Sequence, residues 1–349
     1  MDVTRVEFVL TVPAVWSDSA KDATLKAAEQ AGLGNRHELK LISEPEAAAV
    51  YTLKAIQPNH LKIGDNFVVC DAGGGTVDLI AYKITRLNPL RVEESAVGTG
   101  GLCGSVVLNC RFEEHVKQRI GRERYHWMRE KKAKTWNMAQ NYFDQSVKHR
   151  FNDEENSEVN IPFPGLPDDE DAGLDSGFLV MSAQQVKDIF DPVIEDVIQL
   201  VESQVHSIRA KGGLVCGIVL VGGFGQSTYL YNRMKTHFSD APPPPYSERP
   251  THAMAASNLQ SVEIYHPVHA WTAVVRGAVL RGLEGNMVVS RRSRWHYGTS
   301  YATVFDETKH SISDRYWSPL WERWMVSDRM QWHIAKVGWN ITTWQSLSN

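Results

Sequence analysis

A run of three glycines between two apolar segments constrains the fold of this chain more than any other feature. The apolar run Phe67–Cys70 leads into Asp71, glycines occupy positions 73–75, and apolar residues resume at Val77. Apolar runs without a helical period indicate strands. Glycine also reaches the positive φ values that permit tight turns between twisted strands. The sequence therefore predicts a strand, a tight turn and a second strand.

The same turn suits a phosphate group. Three consecutive glycines can direct their backbone N–H groups toward one point, forming a nest for anions, and Thr76 adds a hydroxyl. Asp71 and Asp78 supply carboxylates that can hold Mg²⁺ through water beside phosphates. A plain hairpin without a ligand is the alternative interpretation of these residues.

Composition narrows the class of protein. With 349 residues and a mass of 39.3 kDa, the chain can bury one large core or two moderate ones. Its composition and its net charge of −4 are typical of an ordinary soluble protein. The sequence lacks a basic stripe of the kind that would indicate a nucleic-acid partner. No apolar run approaches the roughly 20 residues that span a bilayer, and no signal peptide precedes Val6. We therefore expect no membrane partner and a cytoplasmic location.

Two strand-to-helix units precede the glycine turn. Val6–Val12 is predicted to be a strand, and Ser17 begins a helix that ends at Gly32. Leu39–Ile42 is a second strand, after which Ser43-Glu-Pro-Glu46 forms a capping box with proline in the first turn. Glu44 within this box suits the helix dipole.

The middle of the chain is predicted to be mainly helical. Residues 103–148 have helical character, with Trp127 and Trp136 expected in the core. The acidic segment 152–175 is expected to be a loop or an excursion. Apolar residues repeat every three to four positions from Val186 to Ile208, which indicates a long amphipathic helix.

A second glycine turn follows a buried strand near the end of this region. Leu214–Val221 is a continuous apolar run and leads into Gly222, Gly223 and Gly225, before a predicted helix. Such a turn lets a ligand approach the helix N-terminus, although a tight turn without a ligand is an equal alternative. The segment 241–250 is a proline-rich loop, 267–283 a helix, and a Trp-rich region after 285 is expected to be β-rich or poorly packed.

Three motifs in this order resemble the 70-kilodalton heat-shock chaperone family. Ile42-Ser-Glu-Pro-Glu-Ala-Ala-Ala49, Asp71-Ala-Gly-Gly-Gly-Thr-Val-Asp78 and Leu220-Val-Gly-Gly-Phe-Gly225 look like its connecting, second phosphate and adenosine motifs. The similarity covers roughly residues 3–285, and Arg291-Arg-Ser-Arg-Trp-His-Tyr-Gly298 resembles a divergent branch.

The resemblance implies an α/β, actin-like ATPase fold of the ribonuclease H-like type, with two lobes and nucleotide between them. Residues 1–64 would be a remnant of the first lobe, and 65–262 the second lobe with a helical subdomain at about 103–175. Residues 263–285 would form a closing helix that returns to the first lobe, and 286–349 a Trp-rich C-terminal extension.

By the same resemblance, the cofactors are ATP or ADP and Mg²⁺. Asp71 would position the ion and the attacking water, Glu44 would lie in its water shell, and Thr76 would complete the catalytic set. Of the family's Glu, Lys and Arg around the base, only Lys148 is matched here, because Gln145 and His149 replace the others. The implied nucleotide-binding residues are Gly73, Gly74, Gly75, Thr76, Gly100, Gly101, Lys148, Gly222, Gly223 and Gly225.

The family's first phosphate loop, an Asp-x-Gly-Thr hairpin, and its catalytic lysine have no counterpart in this sequence. The first lobe is therefore expected to be incomplete and truncated at its N-terminus, and hydrolysis to be impaired. An ATP-binding, chaperone-related ATPase domain, with client proteins or co-chaperones as partners, is the leading hypothesis. The alternatives are a non-catalytic interaction protein on the same fold and a sugar or glycerol kinase of the same superfold.

Overall fold

The computed structural model describes residues 6–35, 38–154, 157–239 and 262–336. It divides into two units, Met1–Ser290 and Arg291–Asn349. The predicted proline-rich loop at 241–250 lies outside the described residues, as do Trp339 and Trp344. The lobe boundaries expected from the sequence stay predictions.

The first unit alternates strands and helices, with a helical insertion in its middle. In chain order its elements are β1 (Val9–Val12), α1 (Asp18–Gln30), β2 (Lys40–Ser43), α2 (Glu44–His60), β3 (Asn66–Ala72), β4 (Val77–Leu87), β5 (Leu90–Gly101), α3 (Val106–Ile120), α4 (Arg122–Lys131), α5 (Ala133–Tyr142), α6 (Lys148–Arg150), β6 (Glu158–Pro162), β7 (Leu174–Asp175), β8 (Phe178–Ser182), α7 (Ala183–Arg209), β9 (Val215–Val221), α8 (Thr228–Ser239), β10 (Glu263–Tyr265), α9 (Ala273–Glu284) and β11 (Val288–Ser290).

A six-stranded sheet forms the centre of this unit. Its order is β10-β9-β3-β4-β5-β11, with β3 parallel to β9 and antiparallel to β4. Val68 and Cys70 of β3 face a core shared with α3 and α7, whereas Phe67 and Val69 face a core shared with α2 and α9. Every residue of β3 is therefore buried, which is why its sequence is apolar from Phe67 to Cys70.

The long amphipathic helix predicted from the sequence is α7. Ser182 caps it, and the side chain of Gln185 returns to the backbone N–H of Ser182 to complete a capping box. Its apolar face, including Val193 and Val197, packs in the core on one side of the central sheet.

The strands β1 and β2 form a separate parallel pair. Val9 of β1 packs with Ala278 of α9, and Ala47 of α2 joins the same small cluster. The N-terminal segment thus folds as a strand-helix-strand-helix unit. Its second helix, α2, also covers the central sheet together with α9 from later in the chain.

Two expectations for the middle of the chain differ from the structure. The segment 152–175, expected to be a loop or an excursion, contributes β6 and β7 to a three-stranded sheet of order β6-β8-β7. Trp136 is buried against Phe112, but Trp127 is 44% exposed and is not a core residue. Trp127 lies on the outward side of α4, whereas Tyr125 and Met128 of that helix are buried, so helix orientation and not residue type decided its burial.

The second unit is β-rich, as its composition indicates. In the described residues it contains β12 (Tyr297–Val304), β13 (Arg315–Ser318) and β14 (Arg323–Ile334), in the order β12-β14-β13. Met325 and Val326 are buried in this antiparallel sheet, whereas Trp317 and Trp324 contact each other edge to face and remain half exposed.

Candidate functional site

The predicted strand-turn-strand is the β3–β4 hairpin. Asp71 and Asp78 are directly opposite each other in its ladder, and the N–H of Gly73 donates to the carbonyl of Thr76 at 2.9 Å to close the turn. None of the three glycines has φ in the left-handed region. A Cβ atom added to Gly74 or Gly75 would meet no atom within 4 Å. Backbone strain and internal packing therefore do not explain glycine at these two positions.

The N-terminal end of α3 closes one side of this turn. The N–H groups of Gly104, Ser105 and Val106 donate to the carbonyls of Gly75, Gly73 and Gly74, at 3.3, 3.1 and 2.8 Å. Within the described parts of the chain, no carbonyl accepts from the N–H groups of Gly74, Gly75 and Thr76. These amides thus remain as donors for an anion, whereas the N–H of Gly73 is used within the turn.

Gly104 is a site residue that the sequence analysis missed. A Cβ atom there would lie 2.4 Å from the carbonyl oxygen of Gly74, so only glycine permits this contact between the helix and the turn. The Gly-Leu-Cys-Gly spacing before α3 was the available signal, but it does not say which glycine contacts the hairpin.

Three carboxylates gather beside the turn of the hairpin. Asp71 is the second-to-last residue of β3, Asp78 is the second residue of β4, and Glu44 is the first residue of α2, directly after β2. Burial, followed by the charges of Glu44 and Asp78, raises the pKa of Asp71 to about 7. Burial and the charge of Asp78 also raise the pKa of Glu44. Desolvation and mutual repulsion both oppose ionisation, and a nearby cation would relieve both.

The second glycine turn meets this cluster because β9 is parallel to β3. Val221 is the register partner of Asp71, so Gly222 follows at the same edge of the sheet. Gly222 has φ +89°, and a Cβ atom there would lie 2.5 Å from Oδ1 of Asp71. Gly223 has open space around its Cα, and Gly225 lies in the 3₁₀ turn Phe224–Gln226.

Gly100 and Gly101 are packed against other parts of the protein. A Cβ atom on Gly100 would lie 2.7 Å from Cγ1 of Val15, and one on Gly101 would lie 3.0 Å from Cδ1 of Leu200. The carbonyl oxygen of Val77, also 2.7 Å from an added Cβ, accounts for glycine at Gly100 without a ligand, whereas the contacts at Gly101 are with side chains that can shift. The ribose contact expected of them stays a prediction.

Lys148 lies close to a π-helical turn at Phe143–Val147 that interrupts the helical insertion. Its Nζ donates to Oδ1 of Asp144 at 2.6 Å, and its side chain is almost fully buried. Burial lowers the pKa of Lys148, although Asp144 opposes this effect. Gln145 donates to Asp144 at 3.4 Å, and the carbonyl of His149 accepts from Thr228 of α8. Lys148 is thus paired within the insertion, and its neighbour His149 contacts the helix that follows the second glycine turn.

The arrangement suits a phosphate with a hydrated cation. Over the described residues, no group of three or more His, Cys, Asp or Glu side chains is placed to hold a metal ion directly. Mg²⁺ usually retains several waters and takes one or two carboxylates. Asp71 and Glu44, whose carboxylates accept no hydrogen bond from any described residue, fit this second mode of binding.

No helix in the described parts is long and apolar enough to cross a membrane.

Comparison with known proteins places this geometry in context. A family model described as Hsp70 protein matches residues 2–243. Heat shock 70 kDa protein 12A of Mus musculus is 24% identical over 399 residues, covering 94% of this chain and 54% of that protein. Heat shock 70 kDa protein 12B of Homo sapiens is 23% identical over 403 residues, with the same coverage. The chain spans about half the length of these curated relatives.

A shorter match is more similar in sequence. The chaperone protein HscA homolog of Acinetobacter baylyi is 44% identical over 79 residues, which are 22% of this chain and 12% of that protein. The family match confirms the predicted fold class, the actin-like α/β fold of an Hsp70 ATPase domain, and the relatives confirm its divergent branch.

Proposed function

Since this chain belongs to the Hsp70 protein family, we propose that its first unit binds ATP or ADP with Mg²⁺ at the β3–β4 hairpin. One observation carries the proposal. Gly74 and Gly75 are glycines that neither backbone conformation nor packing requires, and they lie beside three clustered carboxylates. Close approach of a phosphate is the remaining physical reason for glycine there.

Different residues bind different parts of the nucleotide. The N–H groups of Gly74, Gly75 and Thr76 face the phosphates, while Gly73 and Gly104 hold the shape of the turn. Gly222, Gly223 and Gly225 lie along the adenosine, Gly100 and Gly101 near the ribose, and Lys148 near the base.

Asp71 and Glu44 would hold the ion through its water shell, and Asp71 would orient the attacking water. When bound, Mg²⁺ would neutralise phosphate charge and lower the pKa of Asp71, because it would relieve the repulsion among the carboxylates. Asp71 then remains ionised at neutral pH and can accept a hydrogen bond from water.

Hydrolysis by these 349 residues is proposed to be weak or absent. Phosphoryl transfer depends on positioning and on donors that stabilise charge on both sides of the transferred group. The sequence contains one Asp-x-Gly-Gly-Gly-Thr hairpin and no Asp-x-Gly-Thr hairpin to oppose it. Each missing charge-assisted contact costs about 1.5–3 kcal/mol. Loss of two or three such phosphate contacts would cost roughly 3–9 kcal/mol, so ATP affinity should be at least a hundredfold below that of a site with both hairpins.

Calorimetry with Mg–ATP tests the binding, using Gly74→Val as the decisive variant. Since a Cβ at Gly74 meets no protein atom, the variant should fold and melt like the wild type. Its branched side chain should nevertheless lower affinity at least tenfold, about 1.4 kcal/mol. Equal affinity of wild type and variant would contradict the proposed phosphate site.

Phosphate release tests the second half of the proposal, with Asp71→Asn as the inactive control. We expect turnover indistinguishable from that control. Sustained turnover that Asp71→Asn abolishes would refute impaired hydrolysis. No nucleotide binding at any accessible concentration would instead favour the non-catalytic interaction protein, the alternative that the single hairpin also supports. Client proteins or co-chaperones are the partners that either function implies.

A further inference from the structure

The two units differ in the sign of their charge. Residues 1–290 contain 29 Lys and Arg against 36 Asp and Glu, a net charge of −7, whereas residues 291–349 contain eight against five, a net charge of +3. The second unit also contains seven of the eleven tryptophans. The composition of the whole chain, which predicts no nucleic-acid partner, therefore averages over an acidic unit and a basic, aromatic one.

Strand register places aromatic and cationic side chains on one face of the β12-β14-β13 sheet. Trp317 is the register partner of Trp324, and Tyr301 is the partner of Arg329. Val326 pairs with both Thr303 and Arg315, which joins these pairs on one face because partners and alternate residues share a face. We call it the aromatic–arginine face, defined by Tyr301, Arg315, Trp317, Trp324 and Arg329.

Arg315 contacts two aromatic rings. Its guanidinium carbon is 4.6 Å from the ring centroid of Trp324 and 5.7 Å from that of Phe305. Trp317 meets Trp324 edge to face, with 5.6 Å between the ring centroids. These contacts restrict the side chains before a ligand arrives, so a ligand that stacks on the rings costs the protein little further side-chain entropy.

The rings of the aromatic–arginine face are accessible. Tyr301 is 46% exposed, Trp317 is 50% exposed and Trp324 is 44% exposed. Exposed apolar surface of this kind, when it is contiguous and bordered by polar groups, is typical of a binding surface.

The charge beside these rings is only partly neutralised. Arg329 pairs with Asp314 at 3.2 Å. Arg315 and Arg323 form no ion pair with any described residue, so no described carboxylate neutralises their charge. Three further arginines lie in the segment 291–294, just before β12, and strengthen the attraction of this unit for anions.

We propose that the aromatic–arginine face binds single-stranded nucleic acid. Bases stack on the exposed rings of Tyr301, Trp317 and Trp324, and Arg315 binds phosphate. The ligand is a single strand because the bases of a duplex are stacked on one another and offer no free ring face. Exposed rings alone would also suit a neutral sugar or a second copy of this chain, but the unpaired cations favour a polyanion.

This activity belongs to the second unit and goes beyond nucleotide binding at the β3–β4 hairpin. Either proposal can therefore fail while the other stands.

Fluorescence anisotropy with a short labelled oligouridylate and the 349-residue chain tests the stacking. Trp324→Ala should weaken binding at least fivefold, about 1 kcal/mol, the lower end of what one stacked base contributes. Trp324→Phe, which keeps a ring, should retain most of the affinity. Trp127→Ala is the matched control, because Trp127 is also 44% exposed but lies on α4 of the first unit. It should bind like the wild type.

The dependence of affinity on salt tests the phosphate contact. The logarithm of the association constant should fall linearly with the logarithm of salt concentration, and Arg315→Gln should make this slope shallower by about 0.7, the value for one phosphate contact on a single strand. Arg122→Gln, at an exposed position of α4, removes the same charge from the first unit and should leave the slope unchanged. A slope unaffected by Arg315→Gln would contradict the phosphate contact.

Four outcomes would overturn the proposal. They are no binding of oligouridylate at low salt, equal binding of a duplex, unchanged affinity in Trp324→Ala, and displacement of oligouridylate by Mg–ATP at matched ionic strength. The last would assign the oligonucleotide to the hairpin and leave the proposed function standing. If Trp324→Ala lowers the weight-average mass of the protein but not its affinity for oligouridylate, the face is an interface between copies of the chain.

A second variant covers a failure of Trp324→Ala to fold. Tyr301→Ala removes another exposed ring of the same face from the neighbouring strand β12. Unchanged affinity in Tyr301→Ala, together with an unchanged salt slope in Arg315→Gln, would likewise refute binding at this face.

Discussion

In the absence of a cation, the buried position of the Asp71 carboxylate lowers the free energy of unfolding of the protein at neutral pH. It is 7% exposed, and burial with two neighbouring acids raises its pKa from 3.8 to about 7. An unfolded chain loses this proton near pH 4, whereas the folded chain keeps it until about pH 7. Between these values the folded state binds more protons, so the free energy of unfolding falls as pH rises. The full effect is about 4 kcal/mol at 1.36 kcal/mol per pKa unit.

Asp71→Asn should remove this dependence, because an amide does not ionise. In the absence of Mg²⁺, we expect the variant to be more stable than the wild type at pH 8, with a smaller difference at pH 5. Urea unfolding at the two pH values measures this, and Asp168→Asn, an exposed acid outside the site, serves as the control. A stability difference that does not vary with pH would contradict the raised pKa of Asp71.

The packing of α2 against α9 depends on small residues. Ala47 in α2 is fully buried, and a Cβ atom on Gly277 of α9 would lie 1.6 Å from its carbonyl oxygen. The two helices therefore approach more closely than any side chain at Gly277 permits. This contact keeps α2, and with it Glu44, in place over the central sheet.

Gly277→Ala should destabilise the first unit, because the helices must separate to admit the methyl group. Overpacking of this kind costs about 1–3 kcal/mol or more. Gly282→Ala in the same helix is the control: its Cβ would lie 3.3 Å from Cγ2 of Val9, a side chain that can shift. Alanine also has the better helix propensity, by up to about 1 kcal/mol. Similar shifts in thermal unfolding for both variants would rule out the close-packing argument.

The whole molecule exposes an apolar stripe at four-residue spacing along α9. Val275, Val279 and Leu283 of α9 face solvent, as does Trp271 in the 3₁₀ turn just before it, and Leu283 is 78% exposed. Nearby, β1 pairs with β2 alone among the described strands. Exposed apolar surface beside an unpaired strand edge is a known source of association.

The 349-residue chain should therefore self-associate as its concentration rises. The double variant Val279→Lys with Leu283→Lys should shift the weight-average mass toward the 39.3 kDa monomer, since charged side chains on an exposed face oppose burial. Sedimentation equilibrium measures the weight-average mass. Met138→Lys, at an exposed position of α5, is the control. Association that persists equally in both variants would exclude the α9 stripe as its cause.

Local patterns in the sequence determined the elements of the site. The β3–β4 hairpin follows from two apolar runs separated by glycines, and α7 follows from its capping box and apolar period. The buried strand β9 and the β-rich second unit were likewise predictable from composition over short windows. Each of these features depends on residues close together in the chain, where hydrogen bonding and burial act on neighbours.

Contacts between distant segments were decided only by the tertiary structure. Strand register and helix placement determine three such contacts. They are the hydrogen bond from the N–H of Val15 to Asp78, the packing of α3 against the hairpin at Gly104, and the approach of Gly222 to Asp71. The raised pKa of Asp71 has the same origin, because it requires Glu44 from another element. A sequence pattern indicates which face of an element is apolar, but it does not indicate which other element covers that face.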